Sequence, residues 1–182
     1  MIDAVAVLMD SPLNQVLTSA DAAELVKMGS IRALNRGKYL FKIDDPGTAL
    51  FIVLQGNLEV VLGNKQTGET VVATIGAGQI VGELEVMTQS KRVASLMANE
   101  EALLLELPGD KLDQLMRLNR PSAMKLVFHI AKTLARRLAA VNQRIMAKQP
   151  PAPPADAKEE VLSEKDLVVD EDDMKVLDKL WG

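Results

Sequence analysis

Between Ile31 and Glu106 the chain breaks into short apolar runs, separated at regular intervals by Gly, Asn, Asp and Pro. Runs of four to eight residues rich in Val, Ile, Leu, Phe and Thr are too short for helices and read as strands. Ile31–Leu34 is followed by Asn35-Arg36-Gly37, and Tyr39–Ile43 by Asp44-Asp45-Pro46-Gly47, a strong turn signal. Leu50–Leu54 is followed by Gln55-Gly56-Asn57, and Leu58–Leu62 by a hairpin loop running from Gly63 to Gly68. Thr70–Ile75, Ile80-Val81, Arg92–Ala98 and Ala102–Glu106 complete the series before Pro108-Gly109. About eight short strands at this spacing predict an antiparallel barrel or jelly roll.

The flanks are helical in pattern. Ala4–Met9 predicts a helical turn ended by Ser11-Pro12, and Ser19 is the expected N-cap of a helix that stops at Gly29, with Asp21 and Glu24 behind it. After the strands, Asp110 is expected to cap a short helix carrying Leu112, Leu115 and Met116. Pro121 suits the first turn of a long helix with no further Gly or Pro to about Lys148. Val127, Ala131, Leu134, Leu138, Val141 and Ile145 recur at spacings of four and three, as in a coiled-coil seam. The seam predicts a homodimer through residues 121–147, the alternative being that it packs on its own barrel. The domain is then expected over residues 1–147, with the roll at about 31–107. A Pro-rich extended linker follows at 148–158. An acidic tail at 159–182 carries Met174, Leu177 and Trp181 on one stripe. That stripe fits either a solubilising tail or a short helix that docks in a groove of a partner protein.

Composition narrows the chemistry. The absence of Cys excludes disulfides and thiolate chemistry, and the single His129 leaves no His-based metal cluster or triad. No apolar run reaches the ~18 residues of a membrane span, and the N-terminus lacks the basic region of a signal peptide, so a cytoplasmic location without membrane attachment is expected. Residues 158–182 carry a net charge of −5 and residues 1–157 of +1. Neither part has the basic excess of a nucleic-acid binder. No phosphate-loop, dinucleotide or nucleophile-elbow motif is present.

Chemistry concentrates in Ile80–Leu96. Gly82 can adopt a positive φ or admit a close neighbour. Glu83 is an acceptor for hydroxyls, and Arg92 is a permanently charged fork suited to phosphate. A helical turn at Val86-Met87 would aim amide hydrogens at an anion. Glu83 and Glu85, two apart, would share one face of an extended chain. Together these residues suggest a pocket for a small phosphate ester bearing a diol, and no catalytic constellation.

Helix, eight-stranded roll, Gly82-Glu83-Leu84, Arg92-Val93-Ala94, short helix and long helix, with Gly37, Leu40-Phe41, Asp45, Leu50, Gly56 and Gly78, resemble the cyclic-nucleotide-binding domain of catabolite activator proteins and kinase regulatory subunits over about residues 12–147. The resemblance implies a cAMP or cGMP ligand, with Arg92 on the cyclic phosphate and Glu83 on the ribose 2′-hydroxyl. Backbone of Gly82, Leu84, Glu85, Val93 and Ala94 would lie near phosphate and ribose, and Val141 and Asn142 over the base. It also implies a stand-alone regulatory module that signals to a partner protein. The chain departs from the pattern at Glu85, where a small residue is usual and a carboxylate would repel phosphate unless turned outward. Val93 departs by lacking a hydroxyl. Asp44 replaces a turn Gly, a position whose left-handed φ Asp tolerates. No recognition helix follows Ala147, so no DNA binding is expected. A ligand-free interaction module of the same fold is the alternative, and a metal-dependent barrel enzyme is disfavoured by the lone His.

Overall fold

The computed structural model of the protein describes residues 2–64 and 68–148. The chain divides into two compact units, Met1–Ala140 and Val141–Gly182. Of the second, only the C-terminal end of the long helix is described; the expected linker beyond Lys148 and the acidic tail lie outside the described residues.

Eight strands form two four-stranded sheets. They are β1 (Ser30–Leu34), β2 (Tyr39–Phe41), β3 (Ala49–Gln55), β4 (Leu58–Asn64), β5 (Gly68–Ile75), β6 (Ile80–Val81), β7 (Ser95–Ala98) and β8 (Ala102–Pro108). Their orders are β1-β8-β3-β6 and β2-β7-β4-β5, and every pairing is antiparallel. The expected β-roll is present.

Strand β3 explains how the roll is held. Ala49 to Leu54 is apolar without alternation, and all six residues are buried. Successive side chains point to opposite faces, so both faces must be covered. Leu50, Ile52 and Leu54 enter a core with Leu25, Leu105, Leu107, Leu126 and Ile130, beneath the helices. Ala49, Phe51 and Val53 enter a second core with Leu34, Leu40, Leu58, Leu96 and Leu104, inside the roll.

The helices are α1 (Ala4–Met9), α2 (Ser19–Met28), α3 (Glu83–Thr88), α4 (Gly109–Arg117) and α5 (Pro121–Lys148). Three sequence expectations are corrected. Thr18, not Ser19, caps α2: its hydroxyl accepts from the Asp21 amide at 3.3 Å while the Asp21 carboxylate accepts from the Thr18 amide at 2.8 Å. This reciprocal box satisfies two end donors, where Ser19 would satisfy one. Pro108, not Asp110, precedes α4 and makes no side-chain cap bond. The run Arg92–Ala98 pairs as a strand only from Ser95, because Arg92 leaves the ladder to bond the turn at 44–45.

The proposed seam of α5 is also corrected. Val127 and Leu134 pack against the helical core together with buried Ala123, Leu126 and Ile130. Ala131, Leu138 and Val141, on the same stripe, are exposed, so the seam is split between core packing and solvent, and the Ile145 side chain lies outside what is described. The neighbouring stripe, which shares Ala131 and Leu138 with the seam, faces outward: Met124, Phe128, Ala131, Ala135 and Leu138, at spacings of four and three, are all exposed.

Candidate functional site

The stretch that joins β6 to β7 builds the site. Gly82 has φ of 71° and leads into α3, six residues long, so Glu83 and Glu85 sit on a helix rather than an extended strand. At 100° per residue they diverge, and each takes its own cation. The Glu83 carboxylate accepts from Arg137 Nη1 of α5 at 2.7 Å, and that of Glu85 from Arg92 Nη1 at 3.0 Å.

Arg92 is the buried centre of the cassette, with its side chain 3% exposed. Its Nη1 also donates to the Gly82 carbonyl at 3.0 Å, and its Nη2 to the Ala49 carbonyl at 2.5 Å. The guanidinium carbon lies 4.1 Å from the centre of the Phe41 ring, a cation–π contact. Nε is buried without a partner. The Arg92 backbone is clamped by the turn at 44–45: its amide donates to the Asp45 carbonyl, and the Asp44 amide donates to the Arg92 carbonyl, both at 2.9 Å. Asp44 holds that turn at φ of 69°, the left-handed conformation expected for it.

Two glycines make the packing possible. A Cβ at Gly82 would lie 2.5 Å from Arg92 Nη1, so the close approach that Gly82 allows is to the arginine. A Cβ at Gly47 would collide with the Glu85 Cβ and lie 2.7 Å from the Ser90 carbonyl. Gly47 was read in the sequence only as a turn residue. Its second use, seating α3, has no local signal.

Glu85 departs from expectation. Instead of turning outward it is 5% exposed and points at Arg92. Its second oxygen accepts from the Val93 amide at 3.2 Å. Val93 thus presents its backbone donor inward while its side chain is 55% exposed. Leu84 is 40% exposed, and Ala94 is half-buried between Val93 and β7. Val141 and Asn142 are exposed and belong to the second unit.

Glu83 and Arg92 face separate hollows. One, about 180 Å³, is lined by Gln79, Glu83, His129, Thr133, Arg136 and Arg137. The other, about 350 Å³, has Phe41, Phe51, Arg32, Glu106 and Arg92 in its wall. The first is smaller than the ~300–1,000 Å³ of small-molecule pockets. Burial raises the Glu83 carboxyl above the ordinary carboxylate value, against the opposing pull of its backbone hydrogen bond and Arg137. Burial lowers the His129 value, and Arg136 and Lys132 lower it further. Arg137 is the residue of the candidate site that sequence reasoning missed. It lies 54 positions from Glu83, and its place on the helix gave no sign of a partner. Among the described residues no group of three His, Asp or Glu is arranged to hold a metal, and no helix is long and apolar enough to cross a membrane.

The site is thus a β-roll with a Gly-Glu-initiated short helix, an inward arginine ten residues after the glycine, and a long helix tied to the glutamate. Residues 31–119 match the model of the cyclic nucleotide-binding domain, the family that this stretch resembles. A crystal structure of a cyclic nucleotide-binding domain from Methylobacillus flagellatus superimposes with a TM-score of 0.68 at 24% identity, over 81% of this chain and 83% of that one, a likeness of fold. The catabolite activator protein of Thermus thermophilus superimposes at 0.63 with 26% identity, over 75% of this chain and 63% of that one. A lysophospholipase of Neurospora crassa is 35% identical over 107 residues, 59% of this chain and 7% of that protein. Matches to the curated relatives span between 7% and 27% of their lengths.

Proposed function

We propose that the chain is a non-catalytic regulatory module that senses cAMP or cGMP and passes occupancy through α5 to a partner protein. The observation that carries this reading is the 2.7 Å bond between Glu83, at the start of the cassette, and Arg137 of α5. A ribose hydroxyl that donates to Glu83 competes with Arg137 for the same carboxylate oxygens. Binding at the cassette therefore alters the hold on the helix, which is what a sensor needs. Arg92 takes the cyclic phosphate, and Glu83 the 2′-hydroxyl. Backbone at Gly82, Leu84, Glu85, Val93 and Ala94 surrounds them. The outward stripe of α5 supplies the surface for a second copy.

Calorimetry of folded protein with each nucleotide is the direct test. One of them is expected to bind with measurable heat, and Arg92→Ala to abolish that heat. Absence of both heat and a melting shift at millimolar cAMP and cGMP overturns the reading. A second reading, a ligand-free interaction module of the same fold, is favoured by one observation: the buried Arg92 already has a carboxylate partner.

A further inference from the structure

We infer that Glu85 is a tethered anion that occupies the phosphate position of this site, so that the cassette rests in a self-occupied state. The inference rests on the reading of Arg92 as the phosphate fork. Its evidence is the pairing of the two donors that an incoming anion would need. One carboxylate oxygen of Glu85 takes Arg92 Nη1 at 3.0 Å, and the other takes the Val93 amide at 3.2 Å. Both charged side chains are enclosed, at 3% and 6% exposure.

The charge count matters here. A carboxylate and a cyclic phosphodiester each carry one negative charge, so either alone neutralises Arg92. Both together would leave one buried anion in excess, which is strongly unfavourable. A ligand must therefore expel the Glu85 side chain before its phosphate can enter. The backbone offers little help, because Gly47 packs directly against the Glu85 Cβ and the Ser90 amide bonds the Glu85 carbonyl at 3.1 Å. Release is by side-chain rotation alone. The carboxylate is also an incomplete partner, since Arg92 Nε remains unsatisfied. A tetrahedral anion with more acceptor oxygens can supply what Glu85 does not. The self-occupied state also accounts for Arg92 and Glu83 lining separate hollows, because Glu85 holds the fork.

The test uses the full chain and its Glu85→Ala and Glu85→Gln variants, the second keeping the shape should the first fail to fold. Thermal melting is followed with inorganic phosphate against chloride at matched ionic strength. Phosphate is expected to raise the melting temperature of both variants and to leave the unsubstituted protein unmoved. Equal stabilisation of all three proteins, or of none, overturns the inference. So does stabilisation that persists in a Glu85→Gln, Arg92→Met double variant, since the anion would then sit elsewhere. Calorimetry with cAMP and cGMP separates this idea from the functional reading. Affinity is expected to be at least about tenfold tighter in Glu85→Ala, the factor that corresponds to ~1.4 kcal/mol. Equal affinity in the unsubstituted protein and the variant removes the tethered anion but leaves the sensor. Phosphate rescue with no nucleotide binding in any variant leaves the tethered anion and removes the sensor.

Discussion

Gly82 shows how the lack of a single side-chain carbon shapes the cassette. Its φ of 71° and the 2.5 Å that separates a would-be Cβ from Arg92 Nη1 act together. The first penalises any L side chain, and the second would push the guanidinium off the Gly82 carbonyl. Gly82→Ala is expected to destabilise the fold by about 1–3 kcal/mol, the range for strained backbone positions. Urea unfolding with an unchanged slope would check it. The need for glycine here was legible in the sequence as a Gly-Glu pair between strand runs. The identity of the neighbour was not, because Arg92 reaches Gly82 across the loop only once β6, α3 and β7 are in place. The same holds for Glu85. Its type was visibly unusual beside a phosphate site, but its direction depends on where Arg92 and the Val93 amide lie.

The junction of α2 with α5 is built from charges that the sequence placed 96 to 104 positions apart. Asp21 accepts from Lys125 at 2.6 Å, while Glu24 accepts from Arg120 at 2.7 Å and from the buried Ser122 hydroxyl at 2.6 Å. Burial pushes the Asp21 carboxyl up, but bonds from Lys125 and Thr18 outweigh it and bring the value from 3.8 down to about 2. A depressed carboxyl stabilises the fold above its unfolded value and loses that contribution as pH falls through the folded one. Stability is therefore expected to drop between about pH 4 and pH 2. Asp21→Asn should flatten that limb of the profile, as followed by circular dichroism during acid titration. Sequence reading found the two acids as residues close behind a helix cap. It placed the cap one residue late, because Ser is intrinsically the better cap and only the Asp21 bonds select Thr18.

Association is the property of the chain that depends on which face of α5 is left uncovered. Phe128 and Leu138 are each 62% exposed and Met124 is 50% exposed, an unusual display for large apolar side chains. Heptad spacing alone selected a seam through Val127 and Leu134, residues that the helical core claims. The proposed dimer therefore keeps Ala131 and Leu138 and uses Met124, Phe128 and Ala135 beside them. Phe128→Glu should leave folding intact, since the residue lies outside the core, and should shift the protein to monomer. Light scattering after size-exclusion chromatography would report it. A protein that is dimeric with and without the substitution would rule out this face.

Strand number, glycine turns, helix order and the Gly-Glu to Arg spacing were all readable from the residues, because each depends on interactions within a few positions of the chain. Which partner each charge meets was not. Arg92 with Glu85, Glu83 with Arg137, and Asp21 with Lys125 are pairs between elements, and in each case another carboxylate or cation of the same kind lay nearby in sequence. Burial raises the cost of leaving any of these charges unpaired, and the packing of α3 and α5 on the roll selects the partners.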